Sequence, residues 1–229
     1  PTAGLSFVFN APEMSVHLTG DARLPGVYPT IPTAPDYRFS WPLHKGVDYS
    51  QLQNWDEWLG FFEYPQAVRD YTGVYDSQQS EGLMRVFPPE LATGAKAFAM
   101  GWAHPLDWHT WTDDGSGYVE LHGGLAPTFW DTTRLEPHST AGGTDWREAW
   151  YPVHGIGGVT VATQEAALRA TKDNDVLRIG VKPTRAWAAG ATEVYVWNRT
   201  TCAELAHWTM LGLDPATPYT NALHIGALT

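Results

Sequence analysis

Short runs of alternating apolar and polar residues, cut every few positions by glycine, proline or aspartate, dominate this chain. The clearest are residues 5–9, 15–18, 82–87, 118–121, 176–181 and 193–197. A period of two puts successive side chains on opposite faces of a strand. Such runs, bounded by turn residues, predict an all-β antiparallel sandwich or barrel. Proline removes a backbone donor and clashes with the preceding turn of a helix, so 17 prolines and 22 glycines leave little room for long helices. Only 50–58, as one or two turns, and 163–169, as a short helix or irregular strand, have helical spacing. Pro25, Pro29, Pro32 and Pro35 make 19–42 read as irregular.

The 229 residues suffice for one large β domain or two small ones. A shift in composition near residue 160 favours two. Most of the twelve tryptophans and the Pro/Gly-rich loops precede it. A plainer strand series at 176–181, 193–197, 204–211 and 219–225 follows, with turns at 173–175 and 189–191. The expected division is therefore 1–160 as the larger unit and 161–229 as a small sandwich packed on it.

Lys and Arg number 14 against 25 Asp and Glu, a net charge of −11. Nucleic acid is held through basic patches, so that balance argues against it, and likewise against an anionic membrane surface. No apolar run approaches the roughly 20 residues that span a bilayer, so no membrane insertion is expected. A single cysteine, Cys202, excludes an internal disulfide and a cysteine-based zinc site. The chain begins Pro1-Thr2-Ala3 inside a strand pattern, without the charged and apolar segments of a signal peptide. It reads as part of a longer polypeptide with further domains. An uncharged ligand suits such a surface best.

Three constellations point to carbohydrate. In the run 118–122, Tyr118, Glu120 and His122 share one strand face while Val119 and Leu121 share the other. With the apolar side turned to the core, a phenol, a carboxylate and an imidazole line the opposite surface, groups suited to hydrogen bonding and proton transfer. The competing reading is an ordinary solvated strand face. In 145–152, Trp146, Glu148 and Trp150 alternate onto one face. Apolar neighbours raise a carboxyl pKa, which suits a general acid, and paired carboxylates underlie most glycoside hydrolysis. Glu120 and Glu148 are thus the catalytic pair to test; an ion pair between Glu148 and an arginine at a sheet edge competes with that reading. Third, Trp102, Trp108, Trp111, Trp130, Trp146 and Trp150 crowd one stretch. Indole stacks on sugar rings, but tryptophan also fills β cores. Trp102, Trp130 and Trp150, with Tyr118 and His122, are the expected sugar contacts, and His44, in a loop with Asp48, is a further one.

His104, Asp107 and His109 offer metal-binding groups, but Pro105 interrupts any regular element that would converge them, so no metal and no cofactor is expected. Asn198-Arg199-Thr200 matches a glycosylation sequon. Phosphate loops, dinucleotide fingerprints and nucleophile elbows are absent.

Several stretches in order also resemble a bacterial domain family of unknown function found ahead of tetratricopeptide repeats, grouped with the aldose 1-epimerase (galactose mutarotase)-like supersandwiches. They are Phe7-Val8-Phe9-Asn10-Ala11-Pro12, Trp41-Pro42-Leu43-His44-Lys45-Gly46-Val47-Asp48, Phe61-Phe62 and Gly101-Trp102. The strongest is Gly117-Tyr118-Val119-Glu120-Leu121-His122-Gly123-Gly124; Trp150-Tyr151-Pro152-Val153 and 213–219 complete the series. Gly94-Ala95-Lys96 keeps only part of the family's basic element, and the epimerase histidine motif has no counterpart. The resemblance implies the downstream portion of a β-supersandwich followed by a small sandwich. Its functional implication is broad: a glycoside hydrolase-like or epimerase-like enzyme, a non-catalytic carbohydrate-binding module, or a structural domain of a larger surface protein.

Overall fold

The alternation in the sequence becomes strands that pack in layers. The computed structural model describes residues 1–24, 38–129, 131–134, 137 and 147–225. Along the chain, β1 (Leu5–Phe9), β2 (Glu13–Thr19) and β3 (Arg38–Ser40) lead into a small ribbon, β4 (Leu43–His44) and β5 (Val47–Asp48). After one 3-10 turn at Leu52–Asn54 come β6 (Leu59–Glu63), β7 (Tyr71–Asp76), β8 (Glu81–Val86) and β9 (Lys96–Ala99). A second such turn at Trp108–Thr110 precedes β10 (Val119–His122) and β11 (Ala149–His154). The remainder forms β12 (Val161–Ala162), β13 (Ala166–Asp173), β14 (Val176–Pro183), β15 (Glu193–Trp197), β16 (Glu204–Thr209) and β17 (Tyr219–His224).

Two antiparallel sheets face each other: five strands in the order β10-β9-β6-β2-β3, and four in the order β1-β7-β8-β11. Between them Leu5, Phe7 and Phe9 of β1 meet Leu59, Phe61, Ala97 and Ala99, with Val119 and Leu121 packed against the same cluster. Phe61 is its hub, in ring contact with Phe7, Phe9, Phe39, Trp41 and Trp55. Trp55 is fully buried, stacks on Phe7 at 4.7 Å and donates its indole N–H to the Tyr49 carbonyl at 2.9 Å. This tryptophan is core.

The four-stranded sheet is apolar on its other face too. There Tyr71, Tyr75, Met84, Val86, Tyr151 and Val153 pack with Ile156, Ala162 and Ala167. Ala162 and Ala167 belong to a third antiparallel sheet, β12-β13-β14-β17. Its far face buries Val181 with Ala166, Met210 and Leu213, joined by Val194 of the β15–β16 hairpin. The expected all-β antiparallel sandwich is therefore present, as successive sheet layers.

Several predicted runs reappear with edges moved by a residue or two. Residues 5–9 and 193–197 coincide with β1 and β15, and the helical spacing at 50–58 contracts to the turn at Leu52–Asn54. Of 163–169, expected as a short helix or irregular strand, residues 166–169 open strand β13. Within the stretch expected to be irregular, Arg38–Ser40 pairs with β2; prolines 25–35 lie outside the described residues. Strands β6, β7 and β9 escape an alternation test because both of their faces are largely covered: every residue of β6 is buried. Among the described residues, no helix is long and apolar enough to cross a membrane.

Candidate functional site

Strand β10 lies at the edge of the five-stranded sheet, paired only with β9, and its four residues are half-buried. Val119 and Leu121 turn inward to the core, which directs Tyr118, Glu120 and His122 outward, as their parity requires. These three form one hydrogen-bonded row. The Tyr118 hydroxyl donates to Glu120 Oε1 at 2.5 Å, and His122 Nε2 pairs with Glu120 Oε2. Both carboxylate oxygens thus have a partner, yet Glu120 and His122 keep 28% and 34% of their side-chain surface accessible to a ligand. The bond to Glu120 raises the Tyr118 phenol above its ordinary range, because losing that proton would face two anions together.

Exposed rings stand at both ends of the row. Trp111 lies 5.9 Å from Tyr118, tilted by 39°, and Phe129 meets His122 edge-on at 5.4 Å. Trp111 and Phe129 are about half exposed, at 52% and 51%. Beneath Phe129 sits Lys96, in register with His122 across the β9–β10 pair and 5.3 Å from the ring. Its ammonium donates to the carbonyls of Gly94 and Ala126, tying the segment after β10 to the start of β9. Burial, with Arg85 nearby, lowers Lys96 to about 8.

Glu148 has a different setting. Arg85, fully buried on β8, donates Nε at 2.9 Å and Nη2 at 2.7 Å to Glu148 Oε2, while the Trp150 indole N–H donates at 2.9 Å to Oε1. Arg85 faces Trp150 across the β8–β11 register and stacks over Phe87 at 4.0 Å. This is the ion pair at a sheet edge that competed with the general-acid reading. Glu120 leaves the outer face of one sheet and Glu148 the mouth between two, and they share no partner among the described residues.

The remaining expected contacts divide. Trp102 and Trp150 are exposed at 38% and 43%, as sugar contacts must be. Trp130 and Trp146 lie outside the described residues. His44 is on β4, packed beside β3, the opposite edge strand, which lies four strand spacings or roughly 19 Å from β10. Its ring meets Phe39 edge-on, and its buried Nε2 has no hydrogen-bond partner. His104 pairs with Asp56, with Nδ1 and Oδ1 2.8 Å apart, rather than converging with Asp107 and His109.

Sequence reasoning gave no role to three charged residues: Arg85, Glu63 and Lys96, the last met only within Gly94-Ala95-Lys96. The signal for two of them was parity. Arg85 alternates with Leu83 and Phe87, and Glu63 with Leu59 and Phe61, so each sits where an apolar residue belongs. Glu63 is fully buried with neither carboxyl oxygen hydrogen-bonded, and burial raises it well above 4.5 against the opposing pull of the Arg69 amide and the Arg85 and Arg69 charges.

No protein-family model matches the chain, and no curated protein matches it. Among solved structures, a TPR-domain containing protein from Parabacteroides distasonis is similar at 18% identity and a TM-score of 0.46. The match covers 70% of this chain and 25% of that one, so the chain spans about a quarter of its length.

Proposed function

We propose that the outer face of β10 is a carbohydrate-directed surface centred on Glu120. The observation that carries this reading is the hydrogen-bonded Tyr118–Glu120–His122 row with exposed Trp111 and Phe129 at its two ends. Sugars present apolar ring faces and hydroxyl edges, and rings beside fixed acceptors and donors match both. A purely structural role for the clustered tryptophans would bury them, whereas Trp102, Trp111 and Trp150 are exposed. The resemblance to galactose mutarotase-like supersandwiches agrees with a sugar ligand. In a catalytic version, Glu120 transfers the proton with Tyr118 and His122 setting its position, and Glu148 is the second carboxylate.

A non-catalytic binding module is the second reading. Its support is the engagement of Glu148 by Arg85 and Trp150, which leaves Glu120 without Glu148 as a free second carboxylate.

The test is a tryptophan-fluorescence titration with a panel of neutral oligosaccharides, run beside turnover assays on glycosides and free sugars. Saturable quenching that Trp111→Ala weakens by about tenfold or more supports the surface. Turnover abolished in Glu120→Gln makes it an enzyme; binding without turnover makes it a module. If no glycan in the panel quenches fluorescence or is turned over, the reading fails.

A further inference from the structure

The far sheet carries a pocket remote in sequence from β10. It has a volume of about 410 Å³ and lies over the face of β13, β14 and β17 that carries Ala167 toward the second core. Strand register decides what lines it. Arg169 is opposite Gly180, which is opposite Thr220; one row further on, Thr171 is opposite Arg178 and Arg178 opposite Ala222. Arg169 and Arg178 are therefore diagonal neighbours on one face, at a Cα separation of roughly 7–8 Å. Gly180 between them has no side chain, and Ile156 fills that place: a Cβ there would lie 2.8 Å from Ile156 Cβ. Ile156 becomes an apolar wall, and Thr220 and Asn221 close the other side.

In a chain with a net charge of −11, two neighbouring guanidiniums would be expected to find carboxylates. These do not. Arg178 makes no hydrogen bond or ion pair among the described residues, and Arg169 donates only to the Ile156 carbonyl, at 3.3 Å. Asp173, on the same face nearer the hairpin end, has Oδ1 occupied by Asn174 and pairs with neither arginine. Among the described residues, no acidic side chain lines the pocket. Two adjacent cations without a counter-ion repel each other, and a shared anion removes that repulsion while meeting their planar donors in bidentate fashion.

We propose that the Arg169–Arg178 pocket binds an oxyanion, the phosphate, sulfate or carboxylate group of a larger ligand. The site is separate from β10 and does not depend on the sugar reading.

The test uses the full chain, titrated at constant ionic strength with orthophosphate, sulfate and glucuronate in three arms, against a chloride control. The readout is NMR of the Thr220 and Asn221 amides and the arginine side-chain N–H groups. The expected result is a saturable shift in at least one arm, with the tightest arm identifying the source of the oxyanion. Arg178→Gln, at an exposed side chain with no partner to lose, should weaken it about tenfold or more. Arg199→Gln, an exposed arginine elsewhere, should leave it unchanged. Shifts that never saturate in any arm, or equal affinity in Arg178→Gln and wild type, overturn the proposal.

Discussion

The backbone of Gly123 lies against the guanidinium of Arg85, so closely that a Cβ there would stand 2.4 Å from Cζ. This contact joins the edge of one sheet to a buried cation of the other, one residue beyond His122. It also explains why glycine follows the polar row: any side chain would displace the arginine that holds Glu148. Gly123→Ala is expected to cost about 1–3 kcal/mol through overpacking, measured by urea denaturation. Unchanged stability would mean that Arg85 moves aside freely.

Removing the carboxylate tests the same assembly from its other side. Glu148→Gln leaves a fully buried guanidinium without its counter-ion, while a quarter of the glutamate side chain is open to water. The expected loss is about 2–3 kcal/mol, below that of a wholly buried pair. Arg85→Met combined with Glu148→Gln should recover part of it, because no lone charge then remains in the interior. A stable Glu148→Gln that has lost turnover on a glycoside would instead assign Glu148 to the chemistry.

Glu63 predicts a pH dependence. Burial holds its proton in the folded chain well above 4.5, where the unfolded chain has already released it. The native state then binds more protons, so stability falls as pH rises from 4.5 through the folded-state value. Glu63→Gln stays neutral throughout and should flatten that slope, gaining on wild type at about pH 8 relative to about pH 5. An identical difference at both pH values would show that Glu63 ionises without penalty.

Lys96 works in the opposite sense. Lowered to about 8 from 10.5, it releases its proton in the folded chain while the unfolded chain still holds one. The unfolded state binds more protons between those values, so this group makes stability rise with pH across that window. NMR titration of the Lys96 side chain should give a midpoint near 8, and Lys96→Met should remove its share of the slope. An ordinary lysine titration would remove the basis for this prediction.

Period-two alternation, turn residues and parity are local properties, and they were enough to specify much of this protein. The strand character of β1 and β15, the turn at 173–175 and the outward direction of Tyr118, Glu120 and His122 all follow from neighbours along the chain. Strands β6, β7 and β9 did not show in the pattern, because a strand covered on both faces carries no alternation.

Partnerships across the sheets were decided only by the tertiary structure. Arg85 reaches Glu148 across 63 positions of sequence, and His44 is carried to the far end of the sheet from β10. The short alternating runs therefore determined an antiparallel β protein with a polar row on one strand. Which carboxylate stays open and which is held by an arginine depended on sheet order and register, since charges meet through space and their spacing along the chain says nothing of it.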